Sequence, residues 1–270
     1  MSQVTLTGER LDDDHALFGP DLARHRAAYL RAIEVAGQRE NGRTLDLGCG
    51  NGYGSAEIAD AVGHVVALDR ITPDAQHRRD SLHYVRADLA GVPLVPRSFD
   101  LVVSFQVIEH LEDPTVYMQA IANAVRSDGT ALVTTPNILM SDGVNPFHIH
   151  EYESAELCQL LEQHFEEVEM LGVGMSADAA RYQEDRLARI RRIMRLDPFG
   201  LRNRLPRKLI DWLFAQFSIV VRRGIQKGQG LPDLSVDDFP IGPADGKSID
   251  LLAVCRKPRS ESARQTSNRC

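Results

Sequence analysis

Cysteine is scarce in this sequence of 270 residues, and the four cysteines are far apart. They form no CxxC pair and no mixed Cys/His pattern, which disfavours both a structural zinc site and a disulfide framework. We therefore expect unpaired thiols in a reducing compartment and predict a cytoplasmic protein. The four are Cys49, Cys158, Cys255 and Cys270.

Long apolar runs are also lacking. Residues 1–14 are polar and acidic, without the apolar stretch of a signal peptide, so none is expected. The longest apolar run, residues 209–221, contains Asp211 and Gln216 and is shorter than the roughly 20 residues that span a bilayer. No transmembrane segment is predicted.

The chain as a whole has no excess of positive charge: its net charge is -7 and its pI is about 5.7. A nucleic-acid binder normally presents a basic surface, so nucleic acid is not an expected partner. One segment departs from this balance, because residues 181–227 contain 13 Lys or Arg against four acidic residues.

Short apolar segments alternate with helical patterns along most of the chain, which predicts βαβ units and a parallel sheet. A tight turn is predicted at Asp128-Gly129. The predicted helices cover residues 21–37, 55–62, 114–125 and 154–164, and the predicted strands cover 44–47, 65–68, 82–86, 101–104, 130–135, 167–172 and 249–255.

More than seventy residues separate the last two predicted strands, too many for an ordinary connection. Helical periodicity over 177–196 and 205–225 predicts two helices in this interval. We therefore divide the chain into an N-terminal arm and helix (1–42), an α/β core (43–175), a basic helical insertion (176–247), the last core strand (248–257) and a disordered tail (258–270).

A glycine-rich segment, residues 46–54, follows the first predicted strand and leads into a helix. Glycine lets the backbone turn sharply and approach a ligand closely, and a helix N-terminus offers unpaired N–H groups. A dinucleotide site requires Gly-x-Gly-x-x-Gly, but the sixth position counted from Gly48 is Tyr53. Asp46, two positions before Gly48, suits a ligand with an ammonium and a sulfonium group better than a pyrophosphate.

Two further acids lie at the ends of the next predicted strands. Asp69 follows the glycines by about twenty residues, where a carboxylate can accept two hydrogen bonds from a ribose diol. The alternative for Asp69 is a helix cap or a loop residue. Asp88 ends the third strand, where it can accept from an adenine amino group.

Five segments, in order, resemble the motifs of class I S-adenosylmethionine (SAM) dependent methyltransferases: residues 44–54, 66–69, 87–89, 99–111 and 125–136. The resemblance extends from Thr44 to about Gly172. It implies an α/β fold with a Rossmann-like, mostly parallel sheet of seven strands, the last antiparallel, with helices on both faces and SAM across the carboxyl ends of the strands. The resemblance also implies that the N-terminal arm and helix (1–42) cover the cofactor site of the core. The helical insertion (176–247) is then expected on the acceptor side, before the last strand.

The resemblance also implies how SAM is bound. Its methionine part is expected near Gly48, Cys49 and Gly50, with Asp46 beside the positive charges. The ribose is expected at Asp69, the adenine at Asp88, Leu89 and Arg70, and the floor of the site at Ser104 and Gln106.

Acceptor contacts are expected from a His-x-His-Glu cluster, His148, His150 and Glu151, on the loop after the fifth predicted strand. Histidine is the side chain whose pKa best suits a general base, and we assign that role to His148. The alternative is that these residues only cap a helix and fix the loop. The surrounding Asn-Pro-Phe-His stretch and residues 6–10 also resemble methyltransferases of glycans and polysaccharides.

Glu109 and His110 are the metal candidates. They resemble a metal-binding pair of quinone-pathway O-methyltransferases, in which a third acid precedes the Glu by three residues. Gln106 stands at that position, and an amide is a weaker ligand for a hard cation. A divalent metal such as Mg²⁺ is therefore not favoured.

We predict a SAM-dependent O-methyltransferase acting on a sugar or glycan-type hydroxyl. The insertion arginines suit an anionic or lipid-linked acceptor, whereas a dimer face, an ordinary cap or peripheral contact with a membrane are the alternatives. Rival functions are a small-molecule O- or N-methyltransferase for phenols, quinones or amines, a NAD-dependent oxidoreductase, and a SAM-binding protein without catalysis.

Overall fold

The computed structural model describes residues 16–89, 94–143, 145–195 and 232–260. Eight β-strands form one sheet in the order β3-β2-β1-β4-β5-β8-β6-β7. The strands are β1 Thr44–Leu47, β2 Val65–Asp69, β3 Leu82–Arg86, β4 Phe99–Phe105, β5 Val125–Pro136, β6 Phe165–Val173, β7 Ile241–Pro243 and β8 Asp250–Pro258.

Strands β1 to β5 run parallel, and β8 is antiparallel to both of its neighbours, β5 and β6. The predicted Rossmann-like α/β architecture is therefore confirmed. The sheet has one strand more than the seven expected, because β7 pairs with β6 at the edge. Its residues, Ile241–Pro243, lie in the segment predicted as a helical insertion.

Five α-helices accompany the sheet in the described chain. Proline stands in the first turn of α1 and of α3, where its missing N–H leaves no hydrogen bond unmade. The Asp113 carboxylate caps α3 by accepting from the N–H groups of Thr115 and Val116. The helices are α1 Gly19–Ala36, α2 Tyr53–Val62, α3 Pro114–Ala124, α4 Ser154–Glu162 and α5 Ala177–Met194.

The predicted turn at Asp128-Gly129 is wrong, because β5 begins at Val125 and includes both residues. The pairing of β4 with β5 shifts register there: Phe99 pairs with Val125, but Leu101 pairs with Thr130. The additional residues of β5 form a bulge. A side chain at Gly129 would lie 2.9 Å from the Asp100 carbonyl oxygen, so glycine allows the close approach of β4.

The sheet separates two apolar layers. One contains Leu45, Val102 and Val133 from the strands and Met118 and Leu157 from α3 and α4. The other packs strand residues against α1 and α2. Since α1 and α2 share a face, α1 lies against the helix that follows the glycine loop and is held close to that loop.

The insertion is described in part. Helix α5 confirms the first predicted helix, and its Ala179 packs with Ala23 and Ala27 of α1. The second predicted helix, 205–225, with its aromatic residues Trp212, Phe214 and Phe217, lies outside the described residues, as do 261–270 of the predicted tail. No helix within the described ranges has both the length and the apolar character needed to cross a membrane.

We predict that Gly54→Ala lowers the free energy of unfolding by roughly 1–3 kcal/mol, as overpacking of a well-filled site does. A methyl group at Gly54 would overlap the ring of Tyr29, where α1 lies on α2. The matched control is Gly19→Ala, where a methyl group meets nothing within 4 Å. Urea unfolding measures both, and equal stabilities of the two variants would contradict the prediction.

Candidate active site

The glycine loop lies at the carboxyl end of β1, folded against the end of β2. The N–H groups of Gly48 and Cys49 both donate to the Leu68 carbonyl oxygen, at 2.8 and 3.2 Å. Gly48 has a φ of +85°, and a side chain there would overlap Val107. Glycine is therefore required at this position for both conformation and space.

Asp69 joins the glycine loop to the next strands. Its Oδ2 accepts from the Gly50 N–H at 2.9 Å and its Oδ1 from the Ile71 N–H at 3.0 Å. Its carbonyl oxygen accepts from the Ala87 N–H at 3.0 Å, which brings Asp88 to the same edge. The structure thus brings together Gly50, Asp69 and Asp88, as the sequence predicted.

Asp46 is completely buried beneath this loop. Its Oδ2 accepts from Ser55 Oγ at 2.6 Å and from the Tyr29 hydroxyl at 3.3 Å. Its Oδ1 is buried and has no hydrogen-bond donor among the described residues. Burial raises the pKa of Asp46 to about 7, and the two hydrogen bonds oppose that rise only in part. A cationic ligand group would stabilise the ionised carboxylate.

The other predicted cofactor residues have varied surroundings. Cys49 is buried, and Leu89 packs partly buried against the apolar core. Arg70 is exposed, and its carbonyl oxygen accepts from Arg86 Nε at 2.9 Å. The Ser104 and Tyr117 hydroxyls form a hydrogen bond of 2.8 Å within the core. Gln106 has a φ of +56° and donates its N–H to the Thr134 carbonyl oxygen.

A second group of polar residues, Glu109, His110 and His148, forms what we call the acceptor-side cluster. The Glu109 carbonyl oxygen accepts from the N–H groups of Ile149 and His150, at 2.7 and 3.2 Å. These two bonds attach the loop that carries His148 to the end of β4. The rings of His110 and His148 then meet edge to face, with their centroids 5.0 Å apart.

Burial dominates the protonation of this cluster. It raises the pKa of Glu109 to about 7, although Thr135 Oγ1 donates to Glu109 Oε2 at 3.0 Å. It lowers the pKa of His110 to about 4. His110 is therefore neutral near pH 7, and burial shifts Glu109 towards its neutral form.

The two predicted catalytic histidines have different positions. His148 Nδ1 lies 2.5 Å from Glu151 Oε1, with both side chains largely buried. His150 lies outside the cluster, half exposed, with its Nε2 2.7 Å from Glu156 Oε1. Only His148 is therefore brought together with Glu109 and His110.

A small pocket lies between α1 and the carboxyl ends of β4 and β5, and the Arg24–Asp250 ion pair in its wall was not predicted from the sequence. Its lining includes Arg24, His25, Gln106 and Asp250. Arg24 Nε lies 3.3 Å from Asp250 Oδ2, in an almost fully buried ion pair between α1 and β8. Nothing in the sequence pattern relates these two positions, because a single arginine on a helix is usually a solvated residue.

Comparison with known proteins agrees with these observations. A family model described as "Methyltransferase domain" matches residues 22–164. A probable S-adenosylmethionine-dependent methyltransferase of Mycolicibacterium smegmatis is 39% identical over 275 residues, covering 95% of this chain and 96% of the relative. A malonyl-[acyl-carrier protein] O-methyltransferase of Pseudescherichia vulneris is 34% identical over 126 residues, covering 46% of this chain and 48% of the relative.

The fold also matches solved structures. A Thermotoga maritima SAM-dependent methyltransferase, described as a possible histamine N-methyltransferase, superposes with a TM-score of 0.54 and 13% identity. The match covers 93% of this chain and 98% of that one. At this identity the likeness concerns the fold alone.

We predict that Asp46→Asn changes the pH dependence of stability. Since the pKa of Asp46 is about 7 in the folded chain and 3.8 in the reference state, the native protein loses stability as pH rises from about 4 to about 7. The asparagine variant lacks this loss. Its free energy of unfolding, relative to that of the native protein, therefore rises by roughly 2–4 kcal/mol across that range.

Urea unfolding of the ligand-free protein between pH 5 and pH 8 measures the effect. The control is Asp60→Asn, because the Arg79 side chain lowers the pKa of the exposed Asp60 and its effect falls at more acidic pH. Parallel curves for the native protein and Asp46→Asn would contradict the prediction.

Proposed function

This chain belongs to the SAM-dependent methyltransferases, and on that premise we propose that it methylates a hydroxyl oxygen of a sugar or glycan-type acceptor. The observation that supports the cofactor site is the hydrogen bond from the Gly50 N–H to the Asp69 carboxylate, which joins the glycine loop to the end of β2. The Asp69 carbonyl oxygen extends this edge to the residues after β3. The acceptor class rests on the acceptor-side cluster and on the likeness of residues 6–10 and 145–148 to glycan methyltransferases.

The residues at this edge fit SAM. The buried Asp46 Oδ1 lacks a donor among the described residues, which suits a ligand with positive charge. A side chain at Gly50 would meet nothing within 4 Å, so the loop is open to a ligand at this position. Each Asp69 oxygen accepts one backbone bond and retains a second lone pair for a ribose hydroxyl. Asp88 and Leu89 would hold the adenine, with Arg70 over its face.

When bound, SAM supplies an electrophilic methyl group whose transfer to the acceptor oxygen breaks the carbon–sulfur bond and leaves S-adenosylhomocysteine. The protein's task is to hold the acceptor oxygen in line with that methyl group. An alcohol must also lose its proton during transfer, so a proton acceptor beside the hydroxyl is required.

We propose that His148 accepts this proton from the acceptor hydroxyl. The Glu151 carboxylate accepts from Nδ1–H, which orients the ring and leaves Nε2 as the basic nitrogen. Glu151 thereby acts as a positioning residue, like the acid that orients histidine in hydrolase triads. His150 has its Nε2 engaged by Glu156, so we propose that it contacts the acceptor without taking the proton.

A small-molecule acceptor is the second candidate. Its support is the similarity to a relative named as a malonyl-[acyl-carrier protein] O-methyltransferase. Turnover of SAM with a panel of saccharides, phenols and amines separates the two candidates. Methylation of phenols or amines alone would overturn the sugar proposal.

We predict that Asp69→Ala raises the dissociation constant of S-adenosylhomocysteine at least about tenfold, because two charge-assisted hydrogen bonds to the ribose are lost. Calorimetric titration measures it. Asp60→Ala, which removes an exposed acid from α2, is the control and should bind as the native protein does. Unchanged affinity in Asp69→Ala would show that the ribose is bound elsewhere.

We predict that His148→Asn lowers kcat by roughly 10²–10⁴ and leaves S-adenosylhomocysteine affinity unchanged, because proton transfer is lost while the cofactor residues remain. His83→Asn, a change at an exposed position on β3, serves as the control. Steady-state kinetics and calorimetry measure the two quantities. Full turnover in His148→Asn would reduce His148 to a loop-packing residue.

A further inference from the structure

The acceptor-side cluster contains the donor atoms of a metal site. Glu109, His110 and His148 each offer one ligand atom, and the three atoms lie within 4.8 Å of one another. Two atoms bound to one ion at about 2.0–2.2 Å lie at most about 4.4 Å apart, so side-chain shifts of a few tenths of an ångström suffice to bring all three onto one ion. No other such group of three occurs among the His, Cys, Asp and Glu residues of the described ranges.

The surroundings of Glu109 also point to a ligand, independently of the grouping of the three residues. Its side chain is about 1% exposed, and Thr135 satisfies only Oε2. Oε1 is buried with no hydrogen-bond donor in the described chain and faces His110 Nε2 at 3.8 Å. A buried carboxylate oxygen without a hydrogen-bond donor is unfavourable unless a cation lies beside it.

Both histidines have the second partner that metal-binding histidines usually have. The Phe147 carbonyl oxygen accepts from His110 Nδ1–H at 3.0 Å, so Nε2 faces Glu109. The Glu151 carboxylate binds His148 Nδ1 at 2.5 Å. Bonds of this kind fix the tautomer and the ring orientation and increase the basicity of the ligating nitrogen.

We propose that Glu109, His110 and His148 together bind one divalent first-row transition metal ion such as Zn²⁺ or Co²⁺, and that Mg²⁺ binds much more weakly. Two imidazoles and one carboxylate form a mixed nitrogen and oxygen donor set, whereas Mg²⁺ requires oxygen ligands. The third donor comes from the loop residue His148, because Gln106 is turned towards Thr134 and Asp250.

This inference rests on the proposed function for the position of the acceptor. The side chains of His110 and His148 remain 25% and 17% exposed, so solvent reaches the cluster. Three protein ligands would leave a fourth position of the ion for a hydroxyl oxygen. An ion there lowers the pKa of that hydroxyl by its charge. With the metal bound, the basic nitrogen of His148 would be a ligand and would not accept the hydroxyl proton. That proton would pass to solvent water, and the ion would stabilise the oxyanion that remains. His148 would act as the base only in the metal-free protein.

The test measures metal binding without an acceptor or turnover. The full chain, free of any histidine tag, is titrated with Zn²⁺ by calorimetry and with Co²⁺ by visible absorption, and Mg²⁺ is titrated in parallel. We expect one equivalent of Zn²⁺ or Co²⁺ to bind, with Mg²⁺ at least about tenfold weaker. Glu109→Gln, His110→Asn and His148→Asn should each weaken binding by about 10- to 100-fold or more.

The matched control is His150→Asn, since His150 is on the same loop and has its own carboxylate partner outside the cluster. It should bind the metal as the native protein does. The inference is overturned if the native protein binds no ion, or if His150→Asn loses as much affinity as the three ligand variants.

Glu109→Gln keeps an oxygen that accepts the Thr135 hydrogen bond, so we expect this variant to fold. A loss of metal binding in Glu109→Gln then reports the lost ligand and not an unfolded chain. Binding of S-adenosylhomocysteine by each variant confirms its folding. It also separates the two proposals: intact cofactor binding and turnover without metal binding would refute only the metal site, whereas lost cofactor binding in the native protein would refute the proposed function.

Discussion

The hydrogen bond from the Gly50 N–H to the Asp69 carboxylate is the constraint on which the rest of the site depends. It connects the loop after β1 to the end of β2, and the Asp69 carbonyl oxygen extends the connection to the residues after β3. Three segments distant in sequence thereby share one edge. An aspartate performs both tasks because its side chain and its backbone accept at different places.

Buried acids lie along this edge of the sheet, and none is fully compensated by described residues. Asp46, Glu109 and Asp250 each retain a buried oxygen without a hydrogen-bond donor there. Burial raises the pKa of all three. A core optimised for stability alone would contain apolar side chains at such positions. Because all three lie along one edge, we connect the unfavourable burial of these carboxylates with the binding of positively charged ligands at that edge.

The fold was largely predictable from the sequence because each element has a local cause. Alternating apolar segments specify the strands, and proline, aspartate and glycine mark the helix ends. The edge strand β7 escaped prediction because three residues, Ile241–Pro243, have no recognisable period and form a strand only by pairing with β6. The turn at Asp128-Gly129 was misassigned because the glycine serves a bulge, which is a property of strand pairing rather than of local sequence.

The site shows the same division between local and long-range causes. The glycine loop, Asp69 and Asp88 follow from strand ends, since parallel strands present their carboxyl ends at one edge. The Arg24–Asp250 pair and the meeting of His148 with Glu109 depend on how α1 and the 145–152 loop are placed. The loop is placed by two backbone hydrogen bonds to the Glu109 carbonyl oxygen and α1 by its packing on α2, and no local side-chain pattern records either. The residues that we propose for the cofactor are thus specified by element order, whereas those that we propose for the acceptor are specified by loop attachment. Under this proposal, acceptor choice is free to vary on a constant cofactor site.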